Sequence, residues 1–276
     1  MKVWVNGVVV DEREAYVSVF DHGFTVGDGV FETLRTTPDG RPFALTRHLQ
    51  RLTRSAAGLG LEPPEDKELR AAVEAVLAAN AGEPVGRVRI TVSGGLAPLG
   101  SGRGAAPPTV VVMAGPASVW PPTTVLLTSP WPRNERSAVA GLKTTSYAEN
   151  VVALAWAQHR GATEALLLNT EGYVCEGTGS NVFAVLGDGR IVTPPLTAGC
   201  LAGVTRDLVL QWCGGEEMDL LPGDLASAAE VFVTSSTRDV HPVDRLDERR
   251  FAAPGPLTSR VGAEFARRAA EDPDPL

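Results

Sequence analysis

The stretch "EALLLNTEGYVCEGTGSNVFAVLGDGRIVTPP", residues 164–195, decides how the chain is read. Its first run, EALLL, is short and apolar and stops at Asn169. A turn through Glu171-Gly172 leads into YVCEG, and a Gly-rich bend, GTGSN, leads into the next apolar run. Gly187-Asp188-Gly189 then closes a hairpin. Strand follows strand here, and helices flank the set. SYAENVVALAWAQHRG (146–161) reads as a helix ending at Gly161. AGVTRDLVLQWC (202–213) reads as a helix entered from a small-residue loop. EVFVTSST (230–237) is a strand ending in hydroxyls, and PLTSRVGAEFARRAAE (256–271) a final helix.

The N-terminal part has the same mixture. VWVNGVVV (3–10) places two β-branched runs around Asn6-Gly7, the signature of a type I′ hairpin. GVFETLRTT (29–37), the turn PDG and then RPFAL read as a second hairpin. Leu49, Leu52, Ala56 and Leu59 recur at helical spacing in residues 46–61, with Thr46 as the expected cap. PPEDKELRAAVEAVLAAN (63–80) opens with Pro and acids, as helices do. GRVRITVSGG (86–95) and PPTVVVMAG (107–115) read as strands. Pro and small residues gather in GPASVWPPTT (115–124), the expected linker. The organisation is therefore mixed α/β, with an N-terminal domain over 1–114 and a C-terminal one over 125–276. DPDPL at 272–276 reads as a disordered tail.

Composition narrows the function. A net charge of −8, from 25 basic and 33 acidic residues in 276, argues against a nucleic-acid binder. No run approaches the roughly 20 apolar residues of a membrane span. The N-terminus turns charged too soon for a signal peptide, so the expectation is a cytoplasmic protein. Cys175, Cys200 and Cys213 form no CxxC pair, and His22, His48, His159 and His241 show no metal-binding spacing.

The candidate chemistry starts at Lys143, in "AGLKTTSYAEN" (140–150). Only Lys2 and Lys67 accompany it, in a chain that writes its positive charges as arginine. An amine, unlike a guanidinium, can lose its proton, attack a carbonyl and serve as a base. TAGCLAGVTRD (197–207) brings backbone N–H groups and Thr205 to a helix start, which favours an anion. Thr234, Ser235, Ser236 and Thr237 crowd the end of a strand, and Glu176 precedes a Gly-rich turn. Taken singly, each has a plain alternative: a solvated lysine, a first-turn threonine, a polar strand exit, a turn-stabilising acid. Together, a lysine, a carboxylate and a split phosphate cup are the parts of a pyridoxal phosphate site.

These parts lie in six ordered blocks: "FDHGFTVGDGVFETLR" (20–35), "RHLQRLTRSA" (47–56), "GLKTTSYAENVVAL" (141–154), 164–183, "TPPLTAGCLAGVTRDLVL" (193–210) and "EVFVTSSTRDVHPV" (230–243). Over nearly its whole length the chain resembles the class IV pyridoxal-phosphate enzymes. These comprise branched-chain and D-amino acid aminotransferases and 4-amino-4-deoxychorismate lyases. The resemblance implies a two-domain D-amino acid aminotransferase-like fold with its site in the interdomain cleft, and a homodimer. It gives Lys143 the Schiff base and the proton shuttle, and Glu176 the pyridine nitrogen. It gives Arg51, Val204, Thr205, Ser235 and Ser236 the phosphate, and Tyr147 the neighbourhood of the ring hydroxyl.

Within the family the sequence leans to the lyase, which serves folate biosynthesis by releasing pyruvate and 4-aminobenzoate. GLAPLGSGRG (95–104) resembles the lyases' Gly-rich loop, with Arg103 as a ligand for a substrate carboxylate. Phe31 stands where the aminotransferases usually carry tyrosine. Arg87 and Arg89 alternate on one strand and suit carboxylate recognition in either reaction. The alternative is a D-amino acid or branched-chain aminotransferase acting on a small-molecule amine. A cofactor-free binding protein on the same fold is a third reading.

Overall fold

The structure is a computed structural model that describes residues 1–276. It divides into two compact units. The first comprises 1–118, 142–147 and 272–276, and the second 119–141 and 148–271.

In the first unit the chain runs β1 (Lys2–Val5), β2 (Val8–Asp11), α1 (His22–Val26), β3 (Gly29–Arg35), α2 (Leu45–Leu59), α3 (Asp66–Ala79), β4 (Arg87–Ser93) and β5 (Thr109–Gly115). Val5 pairs with Val8, and Asn6 (φ 46°) and Gly7 (φ 96°) supply the two positive φ angles of a type I′ turn. The antiparallel sheet has the order β2-β1-β5-β4-β3. Leu45, Leu49, Leu52 and Ala56 of α2 and Leu69, Val73 and Val76 of α3 close over Val30, Leu34, Val88, Ile90 and Val112. Leu52 is fully buried; cutting such a leucine to alanine costs about 2–5 kcal/mol.

Some local expectations change here. RPFAL is no strand: the pairing shrinks to one bridge, Thr36↔Pro42, before α2 begins. Thr46 does not cap α2. The helix starts after Ala44 without a side-chain cap, and the tail supplies the acceptors. Asp274 accepts from the Thr46 N–H (2.8 Å) and hydroxyl (2.6 Å), Pro273 O from the Ala44 N–H (2.7 Å), and Pro275 O from Arg47 Nε (3.0 Å). The DPDPL segment is thus tied down rather than disordered, because α2's orphan N–H groups need acceptors. Residues 142–147, which the sequence assigned to the C-terminal part, join this unit along the edge of β3. The Phe31 N–H donates to Lys143 O (3.0 Å), the Thr145 N–H donates to Gly29 O (2.8 Å), and Thr144 bridges Val30.

The second unit runs β6 (Thr124–Thr128), α4 (Ala148–Gln158), β7 (Glu164–Leu168), β8 (Val174–Gly177), β9 (Asn181–Val185), β10 (Ile191–Thr193), α5 (Val204–Cys213), β11 (Glu216–Glu217), α6 (Pro222–Ser227), β12 (Glu230–Ser235), β13 (Asp239–Leu246), β14 (Arg249–Arg250) and α7 (Pro256–Glu271). The sheet order is β11-β10-β9-β12-β13-β6-β7-β8, with β14 on β13. The β10–β11, β13–β6 and β6–β7 pairs are parallel and the rest antiparallel. Phe183 and Phe232 stack at 4.9 Å between centroids, across the β9–β12 pair. α5 packs on β12 and α7 on β12 and β13, while α4 covers β7. β13 was not foreseen, since Pro242 and its charged neighbours hide its alternation. No helix is long and apolar enough to cross a membrane.

Candidate active site

Lys143 is fixed at both backbone ends. Its N–H donates to Ser55 Oγ of α2 (3.1 Å), and its carbonyl accepts from Phe31 on β3. Its Nζ sits 4.5 Å from the Phe31 ring centroid, and the Arg89 guanidinium lies 3.8 Å from the same centroid. Tyr147 meets that ring edge-on at 5.4 Å. Phe31 is therefore an apolar platform for two cations. Arg89 is half-buried, and burial pushes its guanidinium below the usual arginine range. Its Nε donates to Thr91 Oγ1 (3.2 Å), and no carboxylate neutralises it.

Arg51 sits on the core side of β3. Its Nε and Nη2 donate to the two oxygens of Glu32, both at 2.8 Å, and His48 Nδ1 is 2.6 Å from Oε2. Glu32 is fully buried. Burial alone would raise its pKa, but the charges of Arg51 and His48 hold it far below the usual carboxylate range. Burial pushes His48 below its ordinary value, against the pull of Glu32. Sequence reading missed Glu32 and His48. The available signal was an acid between Val30 and Leu34, on the apolar face of an alternating strand.

The Arg103 guanidinium is engaged within its own unit. Nε and Nη2 grip both oxygens of Asp28 (2.7 and 2.6 Å), and Nη1 donates to Gly60 O (3.0 Å). It clamps its loop to the body of the first unit, and a substrate carboxylate would have to displace Asp28. Arg87 is exposed at the far end of β4, donating to Ser118 Oγ (3.2 Å).

In the second unit, Glu176 lies on β8. Its Oε2 accepts from the Leu201 N–H (2.9 Å), and Arg133 Nη2 is 3.7 Å from Oε1. Both neighbours are donors, which sets the carboxylate as an acceptor. Arg133, also missed by the sequence reading, is held by Asn150 Oδ1 (3.0 Å) and Glu149 (3.2 Å). Cys175 is buried beside Glu176, and desolvation pushes its thiol far up; this is packing, not nucleophilic chemistry.

Val204 and Thr205 open α5. The residue before them is Gly203, which gives no side-chain cap. A Cβ there would lie 1.9 Å from Asn181 Oδ1, so close packing demands glycine. The first-turn N–H groups are consequently left for an anion. On β12, against which α5 packs, Thr234 Oγ1 and Ser235 Oγ are enclosed and have no hydrogen-bond partner. Buried hydroxyls without partners are costly. Orphaned hydroxyls together with an uncapped helix start fit a phosphate group, and Ser236 follows at the strand exit. The residues present fit pyridoxal phosphate. Lys143, Arg51, Arg89, Phe31 and Tyr147 belong to the first unit, and Glu176, Val204, Thr205, Ser235 and Ser236 to the second.

The family profile described as Amino-transferase class IV matches residues 29–246. A D-alanine aminotransferase of Bacillus licheniformis is 33% identical, over 95% of this chain and 94% of its own. The aminodeoxychorismate lyase of Bacillus subtilis is 30% identical, over 91% and 88%. Among solved structures, a T.th. branched-chain amino acid aminotransferase complexed with N-(5'-phosphopyridoxyl)-L-glutamate superposes with a TM-score of 0.87. It is 31% identical, and the match covers 98% of this chain and 94% of that one.

Proposed function

The chain belongs to the class IV aminotransferase family of pyridoxal-phosphate enzymes, and from that premise we propose that it exchanges an amino group between an amino acid and a 2-oxo acid. The observation that carries this reading is Arg89, a half-buried cation that no carboxylate neutralises, 3.8 Å from the ring over which Lys143 Nζ also lies. One carboxylate bound there places a substrate amine beside the lysine. An amino acid needs one such contact. The lyase substrate carries two carboxylates, and the cation expected to take the second, Arg103, is engaged by Asp28.

Bound pyridoxal phosphate supplies the aldehyde that joins the substrate amine and the ring that draws off the electron pair left by a departing proton. Arg89 holds the substrate carboxylate by charge-assisted hydrogen bonds. Lys143 Nζ would take the proton from the carbon bearing the amine and deliver it across the nitrogen to the carbon that was the cofactor's aldehyde. Phe31 keeps the amine's surroundings apolar. Glu176 would accept a hydrogen bond from the cofactor's pyridine N–H, and Arg133 and the Leu201 N–H keep that carboxylate an acceptor. Thr205, the Val204 N–H, Ser235 and Ser236 would hold the phosphate, and Arg51, whose Nε and Nη2 stay on Glu32, would add its charge.

The lyase is the second reading, favoured by the likeness to the B. subtilis enzyme; it would place the protein in folate biosynthesis. One experiment separates the two. Holo-protein is offered amino acids with and without a 2-oxo acid, and separately aminodeoxychorismate alone. Exchange that requires the oxo acid supports the proposal. Release of 4-aminobenzoate with no oxo acid present overturns it in favour of the lyase.

The working form is a cytoplasmic homodimer. Tyr16, Val17, Val19, Phe20 and Phe24 are exposed, and Leu96 and Leu99 join them beside the Asp21↔Leu96 bridge. An apolar stretch of this kind marks a surface that another protein covers, and a second copy suits it. Light scattering at micromolar concentration reads the mass directly, and a monomer would remove this element.

A further inference from the structure

The segment between β5 and β6 contributes one side chain, Trp120, to the hairpin that carries the orphaned hydroxyls. β12 and β13 close through the Ser235↔Asp239 pair, leaving Ser236, Thr237 and Arg238 as the loop. Asp239 takes a positive φ of 53°, and the Arg238 N–H donates to Ser235 O at 3.2 Å. Contacts from outside the hairpin hold this loop. The Trp120 indole N–H donates to Thr237 O (3.0 Å), and the Arg238 guanidinium stacks over the indole at 3.9 Å. Arg238 Nη1 also pairs with the fully buried Glu164, whose other oxygen accepts from the Gly179 N–H and the Ser180 hydroxyl. On β13, His241 Nε2 donates to Pro121 O at 2.8 Å, so residues 120 and 121 strap the hairpin at two places.

We propose that Trp120 is a positioning residue for the phosphate group of the cofactor. It acts through Thr237 and Arg238, holding Ser235 and Ser236 where their hydroxyls meet phosphate oxygens. The inference rests on the pyridoxal-phosphate reading. Trp120 is 38% exposed, so loss of its N–H does not open the core.

The test compares two ligands on the full chain freed of cofactor: pyridoxal phosphate and pyridoxal, which lacks the phosphate. Trp120→Phe keeps an aromatic ring and removes the N–H; Trp120→Ala removes both. Trp120→Phe is expected to weaken pyridoxal phosphate about three- to tenfold, as the loss of one hydrogen bond predicts, and to leave pyridoxal unchanged. Trp120→Ala is expected to lower the same preference further. An equal loss for both ligands would make Trp120 merely structural and overturn the proposal, as would no loss for either. A wild-type chain that binds neither ligand would remove the cofactor reading together with this one.

Discussion

Around Glu32, in the first unit, the buried polar groups use one another up: one carboxylate takes two donors from Arg51 and a third from His48. Around Ser235, in the second unit, the opposite holds: two enclosed hydroxyls have no partner, and the neighbouring helix start has no cap. A satisfied network of charges is a structural device that sets a strand against a helix before any ligand arrives. An unsatisfied set leaves the protein incomplete until an anion supplies acceptors. On the proposed reading, the lysine stands on a scaffold that is finished by folding, whereas the phosphate contacts are finished by binding.

The sharpest way to break this contrast is at the lysine. Lys143→Ala should lower turnover by about 10²- to 10⁴-fold or more, the range for removing a general base. Its melting temperature without cofactor should stay near wild type, because the hydrogen bonds to Phe31 and Ser55 come from the backbone of Lys143. Steady-state kinetics alongside calorimetry check both halves of that statement.

Glu32→Ala should do the reverse, costing stability first. Removing one partner of a buried ion pair costs about 3–5 kcal/mol, read by urea unfolding. Its pH dependence has a definite sign. Both Glu32 and His48 have folded pKa values below their ordinary ones, 4.5 and 6.5. The unfolded chain then binds protons first, so stability rises with pH. The contribution of His48 is complete above about pH 6.5 and that of Glu32 above about pH 4.5; each drains as the pH falls through the folded value. Glu32→Ala should flatten the acid limb of the stability curve, and an unchanged limb would contradict the network.

Arg89 and Arg103 sharpen the comparison at the substrate. Arg89→Ala should raise KM for amino acids about 10- to 100-fold, the worth of a charge-assisted hydrogen bond to a carboxylate. Arg103→Ala should change KM by no more than about threefold, since it gives up a partly exposed clamp. A reversed order would return the lyase reading to first place. The smallest effect is at the tail. Asp274→Ala should lower stability by about 1 kcal/mol, the typical cost of losing a helix cap, or about 2–4 °C in melting temperature.

Local pattern carried much of this. The Asn6-Gly7 turn, the apolar stripe of α2, the small-residue entry to α5 and the hydroxyls after β12 are all legible over a few residues. What the sequence hid depends on partners far along the chain. The α2 cap at Asp274 lies 228 residues from Thr46, and Arg103 finds Asp28 75 residues away. Lys143 looks C-terminal in order, yet it is stitched to β3 by backbone bonds that leave no trace in side-chain pattern. The Asp28 partner of Arg103 was hidden because an arginine in a Gly-rich loop looks the same whether it meets a ligand or its own protein.

The central claim is that one amine carries the cofactor, and the chain's three lysines, Lys2, Lys67 and Lys143, make it directly measurable. Holo-protein is reduced with borohydride and digested, and the pyridoxyl mass is located by peptide sequencing. The account predicts the label on the peptide containing Lys143 and nowhere else; label on Lys2 or Lys67, or none on Lys143, would contradict it.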